Sequence, residues 1–207
     1  MEMRGLKHLM VIASVCMCVC MFGCKTEIDF PQGEYPNGEL LVAADFLETI
    51  MGQSGVVIID ARSSGYETAH IPGAISLKWS DYVDESKKLL SVSELQTKLS
   101  AAGLNPNMTF IIYDDTLTSW GAAGRVFWML EYLGCNDVHI LNGGWDLWSA
   151  EGRDTETTVN TLSPNIFIAP VRDNVIATKD TISSRLGDSD FVVIDSRTDE
   201  EYNGWQL

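Results

Sequence analysis

A chain of 207 residues has room for one large domain or for one full domain and a fragment, and 45% apolar against 21% charged residues excludes disorder as its main state. Fourteen basic against 29 acidic residues leave a formal charge of −15, so a surface that tracked phosphates would work against the field of the whole molecule, and nucleic acid is not an expected partner. Four of the five cysteines (Cys16, Cys18, Cys20 and Cys24) crowd the start and only Cys135 stands in the rest, which excludes a disulfide framework.

Arg4 and Lys7 precede an uncharged run from Leu9 to Phe22, after which Gly23 and Cys24 open onto polar sequence. Such a run spans about 21 Å as a helix, short of the roughly 30 Å hydrocarbon core, and predicts a secretory signal over residues 1–23 rather than a membrane span. Met21-Phe22-Gly23-Cys24 resembles a bacterial lipobox. The resemblance implies that Cys24 is lipidated, becomes the mature N-terminus and anchors the protein in a bacterial cell envelope, on its periplasmic or surface side. The other three early cysteines follow Val15, Met17 and Val19, too large for the position before the cut. An ordinary cleaved signal is the alternative.

Residues 24–40 carry Pro31, Gly33, Pro36 and Gly38 among polar neighbours and read as a tether. The domain proper is expected over 41–155. In chain order the patterning predicts a helix over 43–52, a strand at 56–60, a short helix near 64–69, and a helix opening at Ser91, where Ser91 and Glu94 have the spacing of a capping box. A strand over 109–113, a helix over 119–133 with Ala122, Val126, Leu130 and Leu133 on one side, and a strand over 138–141 follow. Gly143 and Gly144 then lead into a short helix with Trp145 and Trp148. Strands alternating with helices predict an α/β fold, a parallel sheet of about five strands with helices on both faces. Residues 156–171 read as a linker. Val57-Ile58-Ile59-Asp60-Ala61-Arg62 then returns as Val192-Val193-Ile194-Asp195-Ser196-Arg197, 135 positions later, and Tyr66 returns as Tyr202, one residue out of phase. A period this long is a tandem domain. Residues 172–207 therefore read as the start of an incomplete second copy in a truncated protein. The apolar face of 176–194, with a strand at Phe191–Ile194, is expected to rest on the first domain or to remain poorly ordered.

Five groups of residues, in order, resemble the two-domain thiosulfate or 3-mercaptopyruvate sulfurtransferases of the rhodanese family. They are Asp60-Ala61-Arg62 with Tyr66 and His70-Ile71-Pro72-Gly73-Ala74; Tyr113-Asp114-Asp115; Arg125-Val126-Phe127-Trp128-Met129-Leu130; Leu141-Asn142-Gly143-Gly144-Trp145; and Asp195-Ser196-Arg197 with Tyr202 and Gly204. The resemblance covers about residues 41–207. It implies transfer of sulfane sulfur from a small sulfur-donor anion to a thiol or cyanide acceptor through a cysteine persulfide, with no cofactor and no metal. It also implies that Asp114, Asp115 and Arg125 form a vestigial active loop, because Asp114 stands where the catalytic domain carries its cysteine. The loop of the second copy that would hold that cysteine falls 135 positions beyond Asp114, past Leu207. Where many members place a substrate-binding arginine in the second domain, this sequence has Glu201.

The remaining candidates divide between chemical and structural roles. Cys135 follows a helix C-terminus, where the dipole raises a thiol pKa, and reads as a small buried hydrophobe. His70 could serve as a general base, but in His-Ile-Pro-Gly it reads as the holder of a turn. Arg62 and Arg125 could bind an anionic substrate; the structural alternative pairs both with Asp60. Trp120, Trp128, Trp145 and Trp148 read as packing residues. A phosphatase of the haloacid dehalogenase type is suggested by the carboxylates after strand 109–113, but the spacing argues against it, because Asp114 and Asp115 are adjacent and point apart. The alternative from another class is an anchored, noncatalytic rhodanese-like binding module.

Overall fold

A computed structural model describes residues 28–33, 36–116, 118 and 121–205; the expected signal over 1–23, the lipobox-like residues ending at Cys24, and Trp120 lie outside the described residues. Five strands, β1 (Leu41–Val42), β2 (Val56–Asp60), β3 (Ile75–Ser76), β4 (Thr109–Tyr113) and β5 (Val138–Leu141), form one sheet in the order β1-β5-β4-β2-β3, and every pairing is parallel. The centre is the β2–β4 pair, in register from Val56 opposite Thr109 to Asp60 opposite Tyr113. Both strands are continuous apolar runs because the sheet is covered on both faces.

Alternate side chains feed two cores. On one face Val57, Ile59, Phe110 and Ile112 meet α2 (Val92–Ala101) through Leu95 and Leu99, and α3 (Ala122–Tyr132) through Val126 and Leu130. On the other, Ile58, Ile111 and Tyr113 meet α1 (Ala44–Ile50) through Leu47 and Ile50, and α4 (Gly144–Ala150) through Trp148. Complete burial of each such aliphatic side chain contributes about 1.5–3 kcal/mol. The capping box at α2 is formed: Glu94 donates its backbone N–H to Ser91 Oγ, and Ser91 donates its own to Glu94 Oε2 at 3.0 Å.

Three expected elements differ. Residues 64–69 form a turn, not a helix, in which Thr68 and Ala69 both donate to the carbonyl of Gly65, itself at φ +92°. Helix α3 starts at Ala122 rather than 119, because Gly121 takes a left-handed φ of +73°. Phe191–Ile194 forms no strand: it pairs with no neighbour in the sheet, and Val192 and Ile194 are 77% and 84% exposed.

The described residues of the segments read as tether and linker lie on the domain. Phe30 stacks on His139 with ring centroids 3.7 Å apart. Glu156 forms an antiparallel bridge with His70, Asn160 donates its side-chain amide to the Ala74 carbonyl at 3.1 Å, and Phe167 is fully buried in the α2–α3 core. Beyond them, Trp128 Nε1 donates to the Val175 carbonyl at 2.7 Å and holds the start of the last segment against α3. That segment carries α5 (Lys179–Arg185) and α6 (Asp199–Tyr202).

Candidate functional site

The carboxyl ends of β2 and β4 bring the first and second sequence motifs together. Asp60 is fully buried and accepts from three donors of Arg62: the backbone N–H at 2.9 Å, Nε at 3.0 Å to each carboxylate oxygen, and Nη2 at 2.6 Å. The Tyr113 hydroxyl donates to the same carboxylate at 2.8 Å, and Arg62 Nη2 also donates to the Ala69 carbonyl at 2.7 Å. The Arg62 guanidinium lies 4.2 Å from the ring centroid of Trp145. Burial alone would lower the Arg62 pKa, but the hydrogen bond and charge of Asp60 outweigh it and raise it. Burial, reinforced by the same carboxylate, pushes the Tyr113 phenol far above its ordinary range. Arg62 is thus a satisfied structural cation, and not one free to receive a substrate.

The loop that follows β4 is built from carboxylates. Asp114, 8% exposed, reaches over the start of α3 and accepts the Ala123 N–H at 2.9 Å, supplying the cap that Gly121 lacks. Its carbonyl accepts from Trp145 N at 2.9 Å, an approach open because position 144 is glycine at φ +53°: a Cβ there would lie 2.4 Å from that carbonyl oxygen. Asp115 Oδ1 stands 3.9 Å from Arg62 Nη1, and Thr116 Oγ1 donates to Asp146 at 2.6 Å. Burial first, and then the charges of Asp115 and Asp146, raise the Asp114 pKa above the ordinary carboxylate value. The cradle at a helix N-terminus that suits a thiolate or persulfide anion therefore contains a built-in carboxylate, with two more beside it that repel sulfur anions. Asp146, read from the sequence only as part of the helix after Gly143-Gly144, is the residue of this cluster that the motifs did not single out.

A raised folded pKa means that the native state holds the Asp114 proton more tightly than the unfolded chain does. That contribution is complete below the unfolded pKa and is lost as pH rises through the folded one. Asparagine at this position is always neutral and still accepts from Ala123. Asp114→Asn is therefore expected to raise the thermal unfolding midpoint at pH 7 and to lose that advantage by pH 3, as followed by circular dichroism.

The other sequence candidates lie elsewhere. Arg125 does not pair with Asp60. Helix α3 turns Ala122, Ala123, Val126, Met129 and Leu130 into the core, which leaves Arg125 on the outer face, exposed, with its guanidinium 4.2 Å from the Trp79 ring centroid. His70 is buried in the turn it was expected to hold. Its Nδ1 is 2.6 Å from the Tyr66 carbonyl, its ring stacks on Tyr66 at 3.9 Å, and Nε2 faces Glu156 at 3.5 Å. Cys135 is fully buried, and burial pushes its thiol up to about 12. Trp145 combines packing with its stack against Arg62, and Trp148 is a core residue.

Asp195 and Arg197 reproduce the Asp60–Arg62 turn: backbone N–H to Oδ1 at 3.0 Å, Nε to Oδ1 at 2.9 Å and Nη2 to Oδ2 at 2.6 Å. The same turn here lies at the surface, with the Arg197 side chain 55% and the Asp195 side chain 32% exposed. Among the described residues no group of three or more His, Cys, Asp and Glu is placed to hold a metal ion.

Comparison with known proteins matches residues 43–151 to the rhodanese-like domain family. SseA of Mycobacterium tuberculosis is 31% identical over 82% of this chain and 58% of its own length. The thiosulfate sulfurtransferase of Pseudomonas aeruginosa is 28% identical over 81% of this chain and 63% of its own. The chain spans about three fifths of the length of these curated relatives. The crystal structure of SseA from Escherichia coli, a 3-mercaptopyruvate sulfotransferase, superposes with a TM-score of 0.71 over 79% of this chain and 68% of that one, at 23% identity, and shares the fold. With its parallel five-stranded sheet, and with the matched region running from α1 through α4, the chain belongs to the family of rhodanese-like domains.

Proposed function

We propose that these residues are the noncatalytic first domain, and the opening of a second, of a rhodanese-type sulfurtransferase that moves sulfane sulfur from thiosulfate or 3-mercaptopyruvate to a thiophilic acceptor. The observation that carries this reading is the turn made twice, at Asp60–Arg62 and at Asp195–Arg197, with matching hydrogen bonds. Relatives named as thiosulfate sulfurtransferases support it. In the chemistry proposed, a cysteine thiolate attacks the donor's sulfane sulfur, forming a persulfide and releasing sulfite or pyruvate; cyanide or a thiol then removes the sulfur and regenerates the thiolate. The thiolate belongs to the loop of the second copy, 135 positions beyond Asp114. Neither Asp114 nor Cys135 can replace it, since the first has no sulfur and the second is buried at the wrong end of a helix.

The protein beginning at Cys24 is accordingly expected to form thiocyanate from thiosulfate and cyanide no faster than a protein-free control, with Cys135→Ser behaving identically. Turnover that disappears in Cys135→Ser would make Cys135 the nucleophile and overturn the reading. An anchored, noncatalytic binding module is the second reading, favoured by the carboxylate cap in the loop. The same assay on a chain extended through a complete second copy separates the two.

The proposed location is a bacterial cell envelope, with lipid on Cys24. The lipobox-like Met21-Phe22-Gly23-Cys24 supports it, and among the described residues no helix is long and apolar enough to cross a membrane. Intact mass of detergent-extracted protein is expected to correspond to a chain starting at Cys24 plus acyl groups; a different start with no added mass removes the anchor.

A further inference from the structure

We propose that the groove between the outer face of α3, residues 79–92 and residues 175–179 is a binding site for a small organic anion with an aromatic or branched apolar body. It is separate from the Asp114 loop and requires no sulfur chemistry, although its 175–179 wall belongs to the residues read as the opening of a second copy. Its volume is about 920 Å³, the size of a small-molecule site. Val126, Met129 and Leu90 contribute apolar lining, and Trp79, Trp128 and Tyr132 add aromatic surface. The hydrogen bond from Trp128 Nε1 to the Val175 carbonyl ties the 175–179 wall to α3.

The charge of the lining is the reverse of the chain's. Lys87, Lys88, Arg125 and Lys179 line the groove and no carboxylate does, in a molecule of formal charge −15. Among the described residues six cations form no ion pair: Lys78, Lys87, Lys88, Lys98, Arg125 and Lys179. Four of these six converge here, whereas Arg62, Arg153, Arg172, Arg185 and Arg197 are each neutralised by a carboxylate. Two of the four are held over one ring. Arg125 lies 4.2 Å and Lys87 Nζ 5.9 Å from the Trp79 centroid, so their charges are positioned without a counter-ion. Lys87 occupies a left-handed φ of +62° in a turn closed by Asp84 N–H donating to the Lys88 carbonyl at 2.8 Å.

Cations over apolar, partly desolvated walls attract an anion more strongly than they would in open water. A bare inorganic anion takes only the charge and meets the repulsive field of the whole molecule. A ligand that also buries an apolar body gains from both parts of the lining. Those two requirements select an organic anion.

The test is fluorescence and calorimetric titration of the full chain with 8-anilinonaphthalene-1-sulfonate, with sodium thiosulfate as an anion lacking an apolar body. One dye is expected per chain with a micromolar Kd, and thiosulfate should displace it only at concentrations at least a hundredfold higher. The double variant Lys88→Gln, Arg125→Gln should weaken binding at least tenfold with an unchanged near-ultraviolet circular dichroism spectrum. Lys98→Gln, an unpaired cation outside the groove, should leave Kd unaltered. Several dyes per chain with equal affinity in the double variant, an equal loss in Lys98→Gln, or a self-associated chain whose groove is closed to dye would each overturn the proposal.

Discussion

Replacing Asp60 with alanine is expected to lower the stability of the domain by about 3–5 kcal/mol, the cost of leaving a buried charge without its partner. Arg62 would keep the Ala69 carbonyl, the face of the Trp145 ring and a distant Asp115, none of which replaces the lost carboxylate, and the Tyr113 hydroxyl would lose its acceptor inside the sheet. The Asp195–Arg197 turn supplies the control. Asp195→Ala removes a carboxylate with the same contacts to Arg197, but in solvent, where both groups rehydrate, and it should leave the unfolding midpoint unmoved. Urea titration of both variants at pH 7 measures the contrast. Equal losses would mean that the Asp195 turn is packed in solution; no loss at Asp60 would mean that water reaches the buried pair.

The second large effect is expected at Phe167, sixteen residues beyond the end of the family match. Phe167→Ala should cost about 3–5 kcal/mol, as for a large aromatic side chain removed from a closed core. The ring is fully buried among α2 and α3 residues, and its backbone is fastened by Phe167 N donating to Ser100 Oγ at 3.0 Å. A chain ending at 155 should lose still more, because it gives up Asn160 and the Gln96 contact to the Ala169 carbonyl as well. Thermal unfolding of the two forms checks the order. A shortened chain as stable as the full one would show that this segment adds nothing to the fold.

What could be read from the sequence follows the distinction between repeating and singular signals. Strands β2, β4 and β5 have the bounds their patterning indicates, because strands covered on both faces are predominantly apolar, with Asp60, Thr109 and His139 as hydrogen-bonded exceptions. Strands β1 and β3 are two residues each, too short for any periodicity to appear. The 64–69 turn is expected as a short helix, but Gly65 at a left-handed φ of +92° and Arg62 donating to the Ala69 carbonyl shape it otherwise. Arg125 shows the same limit within the candidate site. Its motif places it on α3 near the loop, yet its ring partner, Trp79, comes from a segment far earlier in the chain and decides which way the charge faces. Phe167 is one aromatic residue in a largely polar stretch, and only its complete burial in the core on the α2 and α3 face of the sheet reveals its weight.

The strand order also sets when this domain can be completed. Strand β1, the earliest in the chain, pairs only with β5, about a hundred residues later, and β2 must wait for β4 before its central ladder exists. Parallel pairing over such separations pays loop-closure entropy before any contact returns it, so completion is slow relative to local helix formation. During synthesis the N-terminal edge is therefore left open until nearly the whole sheet has emerged. Phe167 extends the delay, since the α2–α3 core is sealed from outside the sheet altogether. The domain is built to remain pliable while it is being made and to become rigid only after its last tie arrives.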